Sequence, residues 1–198
     1  DADSTDNTAD YSLSVRFTER VLTFNEFLYA PAAGTVEFIE FAVLSEDSID
    51  LSGWGFSDSD TSNIRFFPAV TIQSGDLIVI SNDSSLLPHL PLDGILLVSP
   101  DGFPTLNNSG DEIYLFDPTE TAIDSLSYTS DWGGESGYSL EKLLSYLDSP
   151  EPNNWAMSLD SVGTPGKVNS VTPPPVDAAL IASSIIHSPE NPAPNDAI

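Results

Sequence analysis

The sequence contains no cysteine, one methionine, two histidines and five lysines and arginines in 198 residues. Without cysteine there is neither a disulfide framework nor a thiolate-ligated metal site, so any fold must be held by packing and hydrogen bonds. The histidines, His89 and His187, sit beside or near proline and accompany no nucleophile motif. G-x-S-x-G and H-E-x-x-H are absent, which leaves Ser-His-Asp chemistry and zinc-dependent hydrolysis without material. Glycine-rich phosphate loops are missing too, since Gly133-Gly134 follows Trp132 in what reads as a hairpin tip. Hydrolysis by paired carboxylates is the catalytic class that composition leaves open, because acids are everywhere; the reading adopted is a protein that is not an enzyme, with no cofactor. No stretch approaches the ~20 apolar residues of a membrane span. No secretory leader is visible, and an opening at Asp1 is compatible with one already removed, so its absence does not argue for the cytoplasm.

Positive charge is scarce and negative charge abundant: 31 Asp and Glu leave a formal net charge of -26. Replacing the counterions of a phosphate backbone requires clustered Lys and Arg, whereas Arg16, Arg20, Arg65, Lys142 and Lys167 are scattered, so no nucleic-acid partner is expected. Such acidity suits a protein kept soluble in the open, in a medium salty enough to screen self-repulsion. A hydrophobic content of 40% with three Trp, ten Phe and six Tyr excludes wholesale disorder. A folded part of about 150 residues can bury roughly two thirds of its unfolded surface.

The chain is organised around residues 21–56. Two strand-like runs, 21–29 and 36–43, flank turn material at Ala30, Pro31 and Gly34, and a third run, 51–56, carries Gly53 and Trp54. Further strand candidates follow at 64–67, 77–81, 95–99, 112–116, 123–128 and 139–143. Short strands divided by Asp, Ser, Asn, Gly and Pro indicate a sandwich or barrel and not alternating strands and helices. The apolar runs Leu77–Ile80 and Ile95–Val98 are expected to be inner strands, covered on both faces, in contrast to 36–43 with its two glutamates. Residues 1–20 read as a solvated tail with one possible extra strand over 11–20.

Several motifs together carry a family resemblance: Asn25-Glu26; E-F-I-E at 37–40; L-S-G-W at 51–54; L-N-N-S-G-D at 106–111; I-D-S-L-S-Y at 123–128; G-Y-S-L-E-K at 137–142; Trp155; and G-T-P-G-K-V-N at 163–169. In this order and spacing they resemble the lamin tail domain family over roughly residues 21–170. The resemblance implies an all-β, immunoglobulin-like antiparallel β-sandwich, here lacking the disulfide that antibody domains place around their core tryptophan. The domain is set at 21–171 and a Pro-rich linker at 172–176. Residues 177–198 resemble the truncated start of a second, cell-adhesion-related bacterial β-sandwich domain. An orphan strand there, with Leu180, Ile181, Ile185 and Ile186, is expected to stay mobile or to add to an exposed sheet edge, a neighbouring molecule's included, giving a dimer.

Within the candidate domain, Glu37 and Glu40 fall on opposite faces of a strand, and Glu40 pairs more naturally with Glu26 on the neighbouring strand. Their expected partners are loop backbone or a scarce cation such as Arg65 or Lys142. Asp58-Ser59-Asp60-Thr61-Ser62-Asn63 places Asp58 and Asp60 at alternate loop positions, as a calcium loop does. The EF-hand pattern then fails, with Asn63 where Gly is required and Ala69 where the bidentate Glu would stand, and an ordinary Asp/Ser turn accounts for the same residues. Asp93, Asp101 and Asp111 are further loop acids of that kind. The sequons at Asn82 and Asn107 read as turn chemistry. Trp54 and Trp155 are expected in the core, and Trp132, at a Gly-flanked tip, is the candidate exposed contact for sugar or protein. The resulting expectation is a non-catalytic, secreted or cell-surface bacterial module of a larger protein, whose partner is an unidentified protein or cell-surface component. A calcium-dependent adhesion module and an accessory domain that positions an extracellular hydrolase or nuclease are the alternatives.

Overall fold

The computed structural model describes residue 17 and residues 20–92, 94–98, 102–134 and 136–174. Twelve strands are present among them: β1 (Leu22–Leu28), β2 (Phe38–Val43), β3 (Ile49–Asp50), β4 (Gly55–Ser57), β5 (Arg65–Phe66), β6 (Thr71–Ile72), β7 (Leu77–Ser81), β8 (Ile95–Val98), β9 (Gly110–Phe116), β10 (Ala122–Thr129), β11 (Leu140–Lys142) and β12 (Trp155–Met157). A six-stranded sheet runs β12-β11-β1-β2-β7-β8, a four-stranded sheet runs β10-β9-β4-β5, and β3 with β6 forms a small third ladder. The architecture is an all-β sandwich, antiparallel except between β7 and β8, which are parallel. That exception follows from the connection. The 3₁₀ segment Ser84–His89 carries the chain over the sheet before it re-enters at β8, and only a crossover can join parallel strands.

The two sheets meet in one aromatic-rich core. Phe24, Phe27, Ile39, Phe41, Ile78 and Ile80 of the larger sheet pack with Trp54, Phe56, Ile113, Leu115, Leu126 and Tyr128. A smaller cluster of Leu28, Phe38, Val79, Leu86 and Val162 lies on the other side of the larger sheet. Both faces of that sheet are therefore covered. The sandwich supplies one cover, and the 3₁₀ segment with the chain after β12 supplies the other.

Three sequence expectations are corrected. Strand β2, with its glutamates, is central and buried at every position. Strand β8, apolar throughout, is an edge strand, with Ile95 and Leu96 half-buried and Val98 exposed. Its lone neighbour and crossover position leave it covered only in part. Residues 51–56, read as a single strand, are instead a turn into β4. Asp50 accepts hydrogen bonds from the Ser52 amide and hydroxyl, and the Trp54 amide donates to Leu51 O at 3.0 Å. Gly53 takes φ +82° at that turn, a conformation in which a side chain would be strained.

Phe17, from the region taken as a tail, stacks on Trp54 with ring centroids 4.8 Å apart and donates its amide to Asp117 Oδ2. The expected extra strand over 11–20 lies largely outside the described residues, as do the tail from 177 onward, His187, Asp93 and Asp101.

Trp54 has no solvent exposure, and its indole N–H is buried without a hydrogen-bond partner. Trp54→Ala should cost on the order of 3–5 kcal/mol in urea unfolding, through lost burial and the cavity left behind. Trp54→Phe removes the unpaired donor while keeping most of the ring, and should cost markedly less. An alanine variant within about 1 kcal/mol of the parent would contradict the core role of Trp54.

Candidate functional site: a buried carboxylate ladder

The larger sheet carries three glutamates side by side. Glu26 on β1 stands opposite Glu40 on β2 and Glu141 on β11, and all three have zero exposure. A β-bulge places them there. Phe24 pairs with Phe41 while Glu26 pairs with Glu40, so Asn25 is an extra residue. In a regular strand residues 24 and 26 would share a face by the two-residue alternation; with the bulge, Phe24 and Phe27 both enter the core and Glu26 turns to the other face.

The chain after β12, residues 158–171, lies across these carboxylates and donates to each. Glu26 Oε1 accepts from the Thr164 amide at 2.9 Å and from Ser139 Oγ at 2.6 Å. Glu40 accepts from the Gly166 amide at 2.6 Å and from Asn25 Nδ2 at 2.7 Å. Glu141 accepts from Thr164 Oγ1 and Ser170 Oγ, each at 2.8 Å, and from the Val171 amide at 3.1 Å. Asn169 completes the seam by donating to the Asn25 and Lys142 carbonyls. These residues act as a strap whose backbone donors are satisfied by side chains of the sheet, as buried N–H groups require.

Burial pushes the Glu26 carboxyl well above the usual range, and the neighbouring Glu40 and Glu141 add to the rise. Glu40 is pushed up to about 7, again mainly by burial, against the hydrogen bonds from Gly166 and Asn25. Lys142, adjacent in sequence to Glu141 and so turned to the opposite face, does not compensate the ladder. Its Nζ donates to Thr23 Oγ1 and Ser149 Oγ, lies 5.6 Å from the Trp155 ring centroid, and is pushed down to about 8, chiefly by burial. Asp124 accepts from the same two hydroxyls and from the Phe24 amide, tying β10 to β1. Among the described residues none of the three ladder glutamates forms an ion pair.

Other expected site residues fall elsewhere. Asp58 accepts from the Asp60 amide, and Asp60 accepts from the Ser62 amide and hydroxyl, so each closes a turn of its own loop. No cluster of three or more His, Cys, Asp or Glu suited to a metal ion occurs among the described residues. Trp132 is not a free tip. It is half-buried against the core, its ring 6.3 Å from that of Trp155, because the chain at Gly133 folds back to accept a hydrogen bond from Tyr29. Asp111, read as a loop acid, accepts from the amide and side chain of Asn107. A shallow groove of about 320 Å³ lies beside the strap, lined by Ala42, Leu77, Leu144, Tyr146 and Val168 among others.

The motifs that carried the family resemblance turn out to be one another's partners. Glu37 of E-F-I-E accepts from the Leu106 amide of L-N-N-S-G-D, and Asn25-Glu26, G-Y-S-L-E-K and G-T-P-G-K-V-N together build the ladder and its strap. The fold is of the all-β immunoglobulin-like sandwich class, with its buried ladder carboxylates bonded to its own loops. A family model, the Lamin Tail Domain, matches residues 17–130, more than half of the chain, and the chain belongs to that family. A comparison with curated proteins gives no match. The folded unit continues past the matched range, since β11, β12 and the strap complete the larger sheet and its cover.

Gly163 has φ +100°, and a Cβ there would collide with the Glu26 carboxylate and the Ser139 hydroxyl. Gly163→Ala should therefore lower stability by at least about 2 kcal/mol in urea unfolding, combining backbone strain with displacement of the ladder. Gly34 has a similar φ of +92° with open space around it, so Gly34→Ala should show the backbone penalty alone and cost less. Equal losses in the two variants would mean that the ladder contact contributes nothing.

Proposed function

We propose that this chain is a non-catalytic interaction and attachment module of a larger protein, working outside the cell or at its surface, with a protein or cell-surface component as partner. The observation that carries this reading is where the reactive groups go. The three ladder glutamates and Lys142 are buried and bonded to hydroxyls, amides and loop backbone of the same domain. They hold the fold together and leave the solvent-facing surface for contact. That surface is strongly acidic and carries isolated apolar side chains such as Tyr146, Leu159 and Val168. A net charge of -26 disfavours nucleic acid and favours a neutral or basic partner surface. The same module, joined to an extracellular hydrolase or nuclease, would position that enzyme on its substrate surface.

The test is retention. The full chain joined to a fluorescent reporter should remain on the surface of cells of its source organism through washing, and the unfused reporter should not. Loss of both in the same wash, or turnover of ester, glycosidic or phosphodiester substrates by the purified chain, would overturn the reading.

The calcium-dependent alternative makes a separate prediction. Because Asp58 and Asp60 already accept hydrogen bonds from their own loop, calcium should raise Tm only as ionic strength does, equally with sodium at matched ionic strength. A calcium-specific rise, reversed by chelator and abolished by Asp60→Ala, would move the function to calcium-dependent adhesion.

A further inference from the structure

We propose that the ladder is a pH-operated latch: Glu26 and Glu40, set beside Glu141, hold the strap of residues 158–171 while they keep a proton between them, and release it as that pair ionises. Three like groups directly opposite one another on neighbouring strands, with no exposure, repel strongly if all are charged. The groups around them offer no compensation. Across from Glu40, β7 presents Val79, and across from Glu141, β12 presents Ala156. The 3₁₀ segment contributes His89 and the strap contributes Asp160 and Lys167, which line a polar cleft together with Gly163 and Thr164 and form no ion pair with the ladder. Glu37 accepts from Leu106, and Lys142 is turned to the opposite face.

Hydrogen counting gives independent geometric support. Thr164 Oγ1 lies 2.8 Å from Glu141 Oε1 and 3.4 Å from Glu26 Oε2. A hydroxyl has one hydrogen. If it donates to Glu141, its lone pair faces Glu26, and that contact is favourable when Glu26 Oε2 carries a proton. The strap residue that bridges two carboxylates thus fits a state with a proton on one of them. Ionisation of the second replaces a hydrogen bond by repulsion between oxygens.

The sign follows from the direction of the shifts. Carboxyls raised in the folded state stabilise it fully below the ordinary glutamate range, near 4.3, and that stabilisation is lost as pH rises through the folded values. For Glu40 this value is about 7. Release is therefore expected on the alkaline side, and it would uncover the outer face of β1, β2 and β11.

Site-resolved hydrogen exchange on the whole chain tests this. The amides of Thr164, Gly166 and Val171, corrected for intrinsic rate, should lose protection about tenfold or more between about pH 5.5 and 8.5, while β9 and β10 amides keep theirs. Glu40→Gln and Glu26→Gln supply neutral isosteres and should flatten that dependence. A second readout does not depend on the variants folding: an infrared band of a protonated buried carboxyl, present near pH 6 and weakened above about pH 8, where Glu40 has ionised. Strap protection that is constant with pH, loss shared equally by β9 and β10, the same loss in the Gln variants, or no protonated-carboxyl band would overturn the latch.

Discussion

The structure depends on satisfying three buried carboxylates without a cation. In a sheet covered on both faces, a glutamate at a central position has no water, and the cost of desolvating it is large unless donors are built around it. The donors here are backbone amides and hydroxyls of the strap, aimed at Glu26, Glu40 and Glu141. The dependence runs both ways. The strap carries amides that have no strand partner, and these are buried because the carboxylates accept from them. These bonds make residues 158–171 part of the domain although they contain no strand.

The same arrangement recurs on the opposite flank in a different form. Lys142, Thr23, Ser149 and Asp124 form a closed network that joins β11, β1 and β10, with the charge of the lysine met by Asp124 through two hydroxyls. Without cysteine, cross-links between the sheets are replaced by these buried polar bridges and by an aromatic core in which Phe27, Tyr29, Tyr128 and Trp155 make successive ring contacts. Polar networks of this kind favour one arrangement over others of similar apolar burial, because a shifted register would leave their members unpaired. The bulge at Asn25 is an example: one residue of slippage would put Glu26 into the aromatic core.

For the contact module proposed above, this arrangement has a consequence. The ladder glutamates and Lys142 are hydrogen-bonded inside the domain while the chain carries a net charge of -26, so contact under the proposed reading would come from shape and from side chains at the periphery. The exposed apolar residues at the strap and its neighbours, Tyr146, Leu159 and Val168, belong to the part of the domain beyond the family match.

Much of this was legible in the sequence, and the limits have physical causes. Short alternating runs and turn residues indicated an all-β sandwich; Trp54 read as core; Glu26 and Glu40 read as cross-strand neighbours, since pairing and the two-residue alternation are local properties. Which strands lie at the centre was legible only in part: Leu77–Ile80, expected to be inner, is in β7 between β2 and β8. An apolar run suggests burial on both faces, yet β8 is an edge strand, and β2, which looked half-polar, is enclosed because a distant segment covers it. Glu141 could not be joined to the other two, since it lies more than a hundred residues from Glu26 and only the β1–β11 pairing brings them together. Trp132 looked exposed beside two glycines, but it is the fold of the chain against Tyr29 that lays it on Trp155. The sequence by itself determined the kind of structure, through composition and periodicity. The tertiary structure decided which polar residues are partners, because burial and hydrogen-bond satisfaction are properties of segments that meet only when the chain is folded.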